Sequence, residues 1–148
     1  MDQQGSVFWD DLARDLQDPE FLREYVAESI RIATIDRIVN ELDEARAAAG
    51  LTKAGLARAI SSEPATVRRL FSSGHVNPTL GTLAEVAAAL GMRVVLEPLD
   101  AGDREQITRP LLEGSAADTR ALAERTGELR SRPAVALAAN CPLQARSG

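Results

Sequence analysis

An all-α fold follows from three features of this sequence. Its apolar residues are overwhelmingly aliphatic: three Phe, one Trp and one Tyr leave Ala, Leu, Ile and Val to fill any core. They recur every three or four positions over long stretches, the spacing that gathers side chains on one helix face. Starts and stops bracket those stretches, with Asp18-Pro19-Glu20, Thr52 and Thr79 as starts and Gly50 and Gly91 as ends. A chain of 148 residues has room for one domain of ordinary size plus appendages.

The first element is short. Phe8 and Trp9 precede residues 10–16, an amphipathic turn or two whose acids sit at the positive end of the helix dipole. Asp18, Pro19 and Glu20 then open a longer helix, with Phe21, Tyr25, Ile32, Ile35, Val39 and Leu42 at helical spacing. The pattern fits one helix running to Ala49, or two with a break near Ala33-Thr34. Gly50 closes it. Thr52 caps a short helix whose inward face is Leu56, Ala57 and Ile60. Ser61-Ser62 break the periodicity, Ser62 caps the next helix, and Pro64 falls in its first turn, where a missing N–H costs nothing. This second short helix turns Val67 and Leu70 inward and Ala65, Arg68 and Arg69 outward. Gly74 stops it, and residues 75–78 form an irregular connection around His75. Thr79 caps a further helix with Leu83, Val86, Ala87 and Leu90 facing inward.

Beyond Gly91 the pattern changes. Residues 92–97 (Met-Arg-Val-Val-Leu-Glu) contain two β-branched valines, which predicts a strand over 92–98. A lone strand is unstable, so it must pair with its copy in a dimer or with a partner's sheet edge. Residues 99–148 read as a polar tail, partly disordered. A weak helix over 115–130 around Leu122 and Leu129 carries Gly127, and residues 131–148 are too poor in apolar bulk to fold. The tail also holds too little apolar material for a ligand pocket. The expected divisions are an acidic helical extension at 1–35, a bundle at 36–91, the strand, and the tail.

The net charge of −5 is unevenly spread. Residues 1–46 hold twelve acids and five arginines, for −7, and residues 97–148 come to −1. Residues 47–96 carry Lys53, Arg58, Arg68, Arg69 and Arg93 against Glu63 and Glu85, for +3. The one basic segment is therefore the segment with the pair of short helices. A small Ala57 where they cross allows a close, steep approach, which lifts the second helix clear of the body and lets it enter a DNA major groove. An acidic front end limits nonspecific DNA binding or suits a basic protein partner.

Other chemistries lack material. One cysteine, Cys141, and one histidine, His75, supply neither a disulfide nor a metal site. The acids Asp10-Asp11 and Glu41, Asp43 and Glu44 read as solvated helix faces, and Cys141 as an incidental thiol. With no phosphate loop or nucleophile set, no enzymatic activity, catalytic residue, metal or cofactor is expected. Residues 1–11 show no signal-peptide pattern, and no apolar run is long enough for a membrane span, so a soluble cytoplasmic protein is expected.

Several pieces in sequence resemble the Xre/Cro family of phage-repressor-type helix-turn-helix proteins. They are Ala49-Gly50-Leu51-Thr52-Lys53, Leu56-Ala57, Thr66-Val67-Arg68-Arg69-Leu70, Asn77-Pro78-Thr79-Leu80 with Leu83, and Ala88-Ala89-Leu90-Gly91, together covering roughly 36–91. The resemblance implies a phage-repressor-like bundle. Thr52 and Lys53 would meet DNA phosphates, Glu63, Pro64, Ala65, Arg68 and Arg69 would face the groove, and Thr66 would support from the edge. It also implies a homodimeric repressor on a double-stranded operator. The Asp-Pro-Glu-Phe start and the Met-Arg-Val-Val-Leu segment further resemble antitoxins of HigA type, implying a RelE-like ribonuclease toxin as partner. A stand-alone regulator without a toxin is the alternative.

Four positions depart from that family's pattern. Ser61 stands where glycine is usual, at a site favouring positive φ, so some backbone strain is expected there. Pro64-Ala65 replace polar base-reading residues. Alanine can touch a thymine methyl but cannot hydrogen-bond, which leaves base discrimination mainly to Arg68 and Arg69. Phe71 replaces an acid, and the connection from Leu70 to Asn77 is one residue longer. Arg68 and Arg69, about 100° apart around the helix, divide between guanine and phosphate, or else form a merely solvated pair. Phe8, Trp9, Phe21 and Tyr25 read first as core packing and second as a surface for a partner protein.

Overall fold

The computed structural model describes residues 3–72 and 76–131, with the side chains of residues 3 and 4 left aside. Its helices are α1 (Gln3–Asp15), α2 (Pro19–Ala48), α3 (Lys53–Ala59), α4 (Pro64–Leu70), α5 (Leu80–Ala89), α6 (Ala101–Asp103), α7 (Arg109–Glu113) and α8 (Thr119–Ser131), with a π-helical segment at Arg104–Thr108. They fall into two compact units. Among the described residues, one takes in 3–33 and 97–131 and the other 34–72 and 76–96.

The long helix α2 is unbroken, which decides between the two readings of residues 18–49. Asp18 opens it by accepting the Glu20 N–H at 3.1 Å, with Pro19 as the first helical residue. Gly50, at φ 70°, ends the run, and the Leu51 N–H returns to the Arg46 carbonyl at 3.2 Å. Its first half buries Leu22, Val26 and Ser29 in the first unit, and its second half buries Val39 and Leu42 in the other.

In the first unit Leu12, Leu16, Leu22, Val26, Ile107, Leu122 and Ala123 form the core, with Trp9, Phe21 and Tyr25 packed against it. The polar tail is thus corrected over 101–113, which is helical, while the helix expected over 115–130 forms as α8, and both supply part of this core. Gly127 is what admits α8 beside α1: a Cβ there would run into the Trp9 ring. Buried Ser29 donates to the Tyr25 carbonyl at 2.7 Å and accepts from Arg130 Nε at 2.9 Å, so its burial leaves no bare hydroxyl. The π-helical segment has a local cause. Pro110 offers no N–H to the preceding turn and its ring crowds that turn's carbonyl, and the wider coil relieves the crowding.

An open depression of about 550 Å³ with a charged rim lies between α7 and α8. Its rim carries Glu105, Arg109, Glu113, Glu124 and Arg125, of which Arg109 bridges Glu105 and Glu113, Glu124 pairs with Arg120, and Arg125 pairs with Asp103 and Glu128.

The other unit packs Val39, Leu42, Leu56, Ala57, Val67, Leu70, Leu83, Val86 and Ala87. Thr79 caps α5 by accepting the Thr82 N–H at 3.1 Å, and Gly91 at φ 73° ends it while the Met92 N–H returns to the Ala87 carbonyl at 2.7 Å. The strand expected over 92–98 does not form. Residues 93–100 are irregular, and no strand exists among the described residues for them to pair with. A ladder needs two members, so β-branched residues alone do not make one. His75, Gly74 and Cys141, like the longer connection around His75, lie outside the described residues.

Candidate nucleic-acid interface

The α3–α4 pair is set by its ends. Thr52, in extended backbone, accepts the Gly55 N–H at 2.9 Å and starts α3, with Lys53 as its first residue. Leu56 and Ala57 are fully buried, and Ile60, the C-cap, is half-buried. Ser61 then adopts φ 52°, the left-handed conformation anticipated from the missing glycine. Its N–H returns to the Arg58 carbonyl at 3.2 Å, and that of Ser62 to the Ala57 carbonyl at 2.8 Å. Those bonds commit Ser62 to closing α3. The expected Ser62 cap on α4 is therefore corrected: Glu63 is the N-cap residue, without a side-chain bond, and Pro64 is the first helical residue.

Burial along α4 divides the helix as its period requires. Val67 and Leu70 are buried, while Glu63, Pro64, Ala65, Thr66, Arg68 and Arg69 are all exposed. The five groove-facing candidates and Thr66 at their edge thus share one short element and its N-cap. Thr52 is exposed and Lys53 half-buried at the start of α3. Neither Arg68 nor Arg69 makes an ion pair among the described residues. Both guanidiniums lie in the last turn, where the helix dipole favours positive charge.

Phe71, the C-cap of α4, packs against the core in place of an acid, with the Arg46 guanidinium 5.9 Å from its ring centre. Arg46 also bonds Asp43 at 2.9 Å and the Leu51 carbonyl at 2.7 Å, so it fastens the chain between α2 and α3. Arg58, exposed on α3 and likewise without an ion pair among the described residues, adds a cation that the motif does not single out. The local excess of base over acid was its only signal.

The aromatic candidates are elsewhere. Trp9 meets Gly127 and lies edge-on to Phe8 at 5.2 Å. Phe21 and Tyr25 stack at 5.8 Å, and Arg130 covers the Tyr25 ring at 4.8 Å. Three of the four are therefore packed against the chain's own core, and Phe8, 57% exposed, is left open.

A family model described as helix-turn-helix matches residues 42–95, overlapping most of the stretch that carries the resemblance. Neither the curated proteins nor the solved structures provide a match to this chain. Residues 42–95 are a helix-turn-helix domain of Xre/Cro type, which supports a DNA-binding regulator of transcription. No helix among the described residues is long and apolar enough to cross a membrane.

Proposed function

We propose that this chain is a homodimeric transcriptional repressor that sets α4 into the major groove of a pseudo-palindromic operator. The observation that carries this reading is the exposed pair Arg68 and Arg69, without internal partners among the described residues, on the second helix of the helix-turn-helix domain. The first turn of α4 offers Glu63 as an acceptor for cytosine and Ala65 as a contact for a thymine methyl. One arginine reads guanine and the other, with Thr52 and Lys53, grips phosphate. Two copies would place their α4 helices about one DNA turn (~34 Å) apart.

Most of the affinity then comes from counterion release, so binding falls steeply with salt. A gel shift on the DNA upstream of the chain's own gene tests this. Arg68→Ala with Arg69→Ala should weaken binding by roughly a hundredfold or more and flatten the salt dependence. Wild-type affinity in that double variant would overturn the assignment of α4.

The same reading extends to an antitoxin that represses its own operon in the cytoplasm and masks a RelE-like ribonuclease. The acidic residues 1–46, at net −7, suit a basic partner, and the motif layout around the domain resembles HigA-type antitoxins. Co-expression with the neighbouring reading frame should give a complex that survives purification. Absence of any complex would leave a stand-alone regulator.

A further inference from the structure

We infer that Arg58 and Thr52 grip one DNA phosphate across the gap that Gly55 leaves, which makes Arg58 a further DNA-contacting residue. The inference deepens the repressor reading and rests on it for the presence of a duplex. Three observations meet on α3. Arg58 is exposed and makes no ion pair among the described residues. The residues three and four places away are Ala54, Gly55, Ser61 and Ser62, so no acid stands one helical turn away to claim its charge. Its guanidinium folds back along the helix instead, and Nη2 lies 3.8 Å from where a Cβ on Gly55 would stand. Thr52 Oγ1 lies 3.1 Å from the same point.

Gly55 is not there for its backbone. Glycine is a poor helix former, and the chain at this point is ordinary helix without a positive φ. What it supplies is an absent side chain, which lets another molecule come close to α3. The two polar groups bordering the gap are both equipped to donate. The Thr52 hydroxyl accepts the Gly55 N–H at 2.9 Å, which leaves its own proton for an outside acceptor. The Arg58 guanidinium presents paired N–H groups that match the oxygens of a phosphate. Thr52, Gly55 and Arg58 follow one another at three-residue spacing along a single row, whereas Lys53 starts a different row and is half-buried. Lys53 is therefore left to a neighbouring phosphate. The occupant follows from the place of α3 in the motif: the first helix of the pair crosses the sugar-phosphate backbone while the second enters the groove. The grip is made by two side chains and draws nothing from the helix end, α3 being only seven residues long.

Fluorescence anisotropy with the full chain tests the contact on two duplexes, the DNA upstream of the chain's own gene and a scrambled duplex of equal length. Arg58→Gln should lower affinity about fivefold at about 0.15 M salt and reduce the salt slope by about one per copy. The factor should be the same on both duplexes, because a phosphate carries no sequence information. Arg58→Lys keeps the charge and should recover most of the slope. Gly55→Ala fills the gap and should cost a comparable factor alone, and little more in the Arg58→Gln background. Thermal circular dichroism should show both variants as stable as wild type, since neither position is in the buried core. Wild-type affinity and slope in Arg58→Gln, or wild-type affinity in Gly55→Ala, would overturn the inference. So would losses that simply add in the double variant. The two readings fail differently. If Arg58→Gln binds as wild type while Arg68→Ala with Arg69→Ala loses binding, the phosphate grip falls and the repressor reading stands. A wild-type chain that binds neither duplex ends both.

Discussion

In the unit of residues 3–33 and 97–131, Arg109, Arg120 and Arg125 each bridge two carboxylates, whereas in the unit of residues 34–96 Arg58, Arg68, Arg69 and Arg93 bridge none among the described residues. The difference lies in the neighbours one helical turn away. Arg109 has Glu105 and Glu113 at four residues on either side, and Arg120 has Glu124. Around Arg68 and Arg69 the positions three and four away are Pro64, Ala65, Thr66, Phe71, Ser72 and Ser73, none of them acidic. Glu113 and Glu105 raise the Arg109 pKa above its ordinary value by accepting its hydrogen bonds. An arginine so held is a solvated strut, and one without such neighbours is charge on offer.

The comparison predicts that the units fail separately. Leu56 is fully buried in the helix-turn-helix unit, and Leu56→Ala should cost about 3 kcal/mol there through the cavity it leaves. DNA binding should fall with it. Trp9 is the chain's single tryptophan and packs against the other core, so its fluorescence reports that unit's unfolding. The Trp9 midpoint should stay in place in Leu56→Ala. A matching shift of that midpoint would make the chain one cooperative block.

Gly127→Ala attacks the other unit. An alanine normally gains about 1 kcal/mol over glycine inside a helix. Here the added carbon meets the Trp9 ring, and overpacking should turn the gain into a loss of about 2 kcal/mol. Pairing it with Trp9→Leu, read by thermal circular dichroism, should recover the usual sign. Stabilisation by Gly127→Ala alone would mean that the glycine serves no close approach. Smaller still is Ser61→Gly, which should stabilise the helix-turn-helix unit by about 1 kcal/mol through relief of the φ 52° backbone. Denaturant unfolding monitored by half-site binding would detect it.

What was legible in the sequence was local. Thr52 and Thr79 announce helix starts through their own hydroxyls, and Ser61 announces strain through the glycine it replaces. The burial split of α4 follows from spacing alone. The helix over 115–130 was legible but its place in a core was not, because Leu122 and Ala123 are buried only where α1 supplies the opposing face. Gly127 looked like a helix defect for the same reason, since its use depends on Trp9, more than a hundred residues earlier. The expected strand failed because two valines give preference and no ladder. The course of α2 stayed open because its apolar face serves two cores in turn, so its stripe changes phase between Ser29 and Val39.

The smallest effect separates the two kinds of arginine most cleanly. Arg109→Gln and Arg68→Gln each remove one positive charge from an exposed helix face. If net charge governed DNA affinity, both would lower it alike through the long-range field. If affinity depends on which cations reach phosphate or base, only Arg68 matters, because Arg109 is already neutralised by Glu105 and Glu113. Arg68→Gln should then reduce the slope of log affinity against log salt by about one. Arg109→Gln should leave both slope and affinity at wild-type values, read by fluorescence anisotropy on one operator duplex across a salt series. Equal losses in the two variants would erase the distinction between a paired arginine and an open one, and with it the reason for placing the interface on α4.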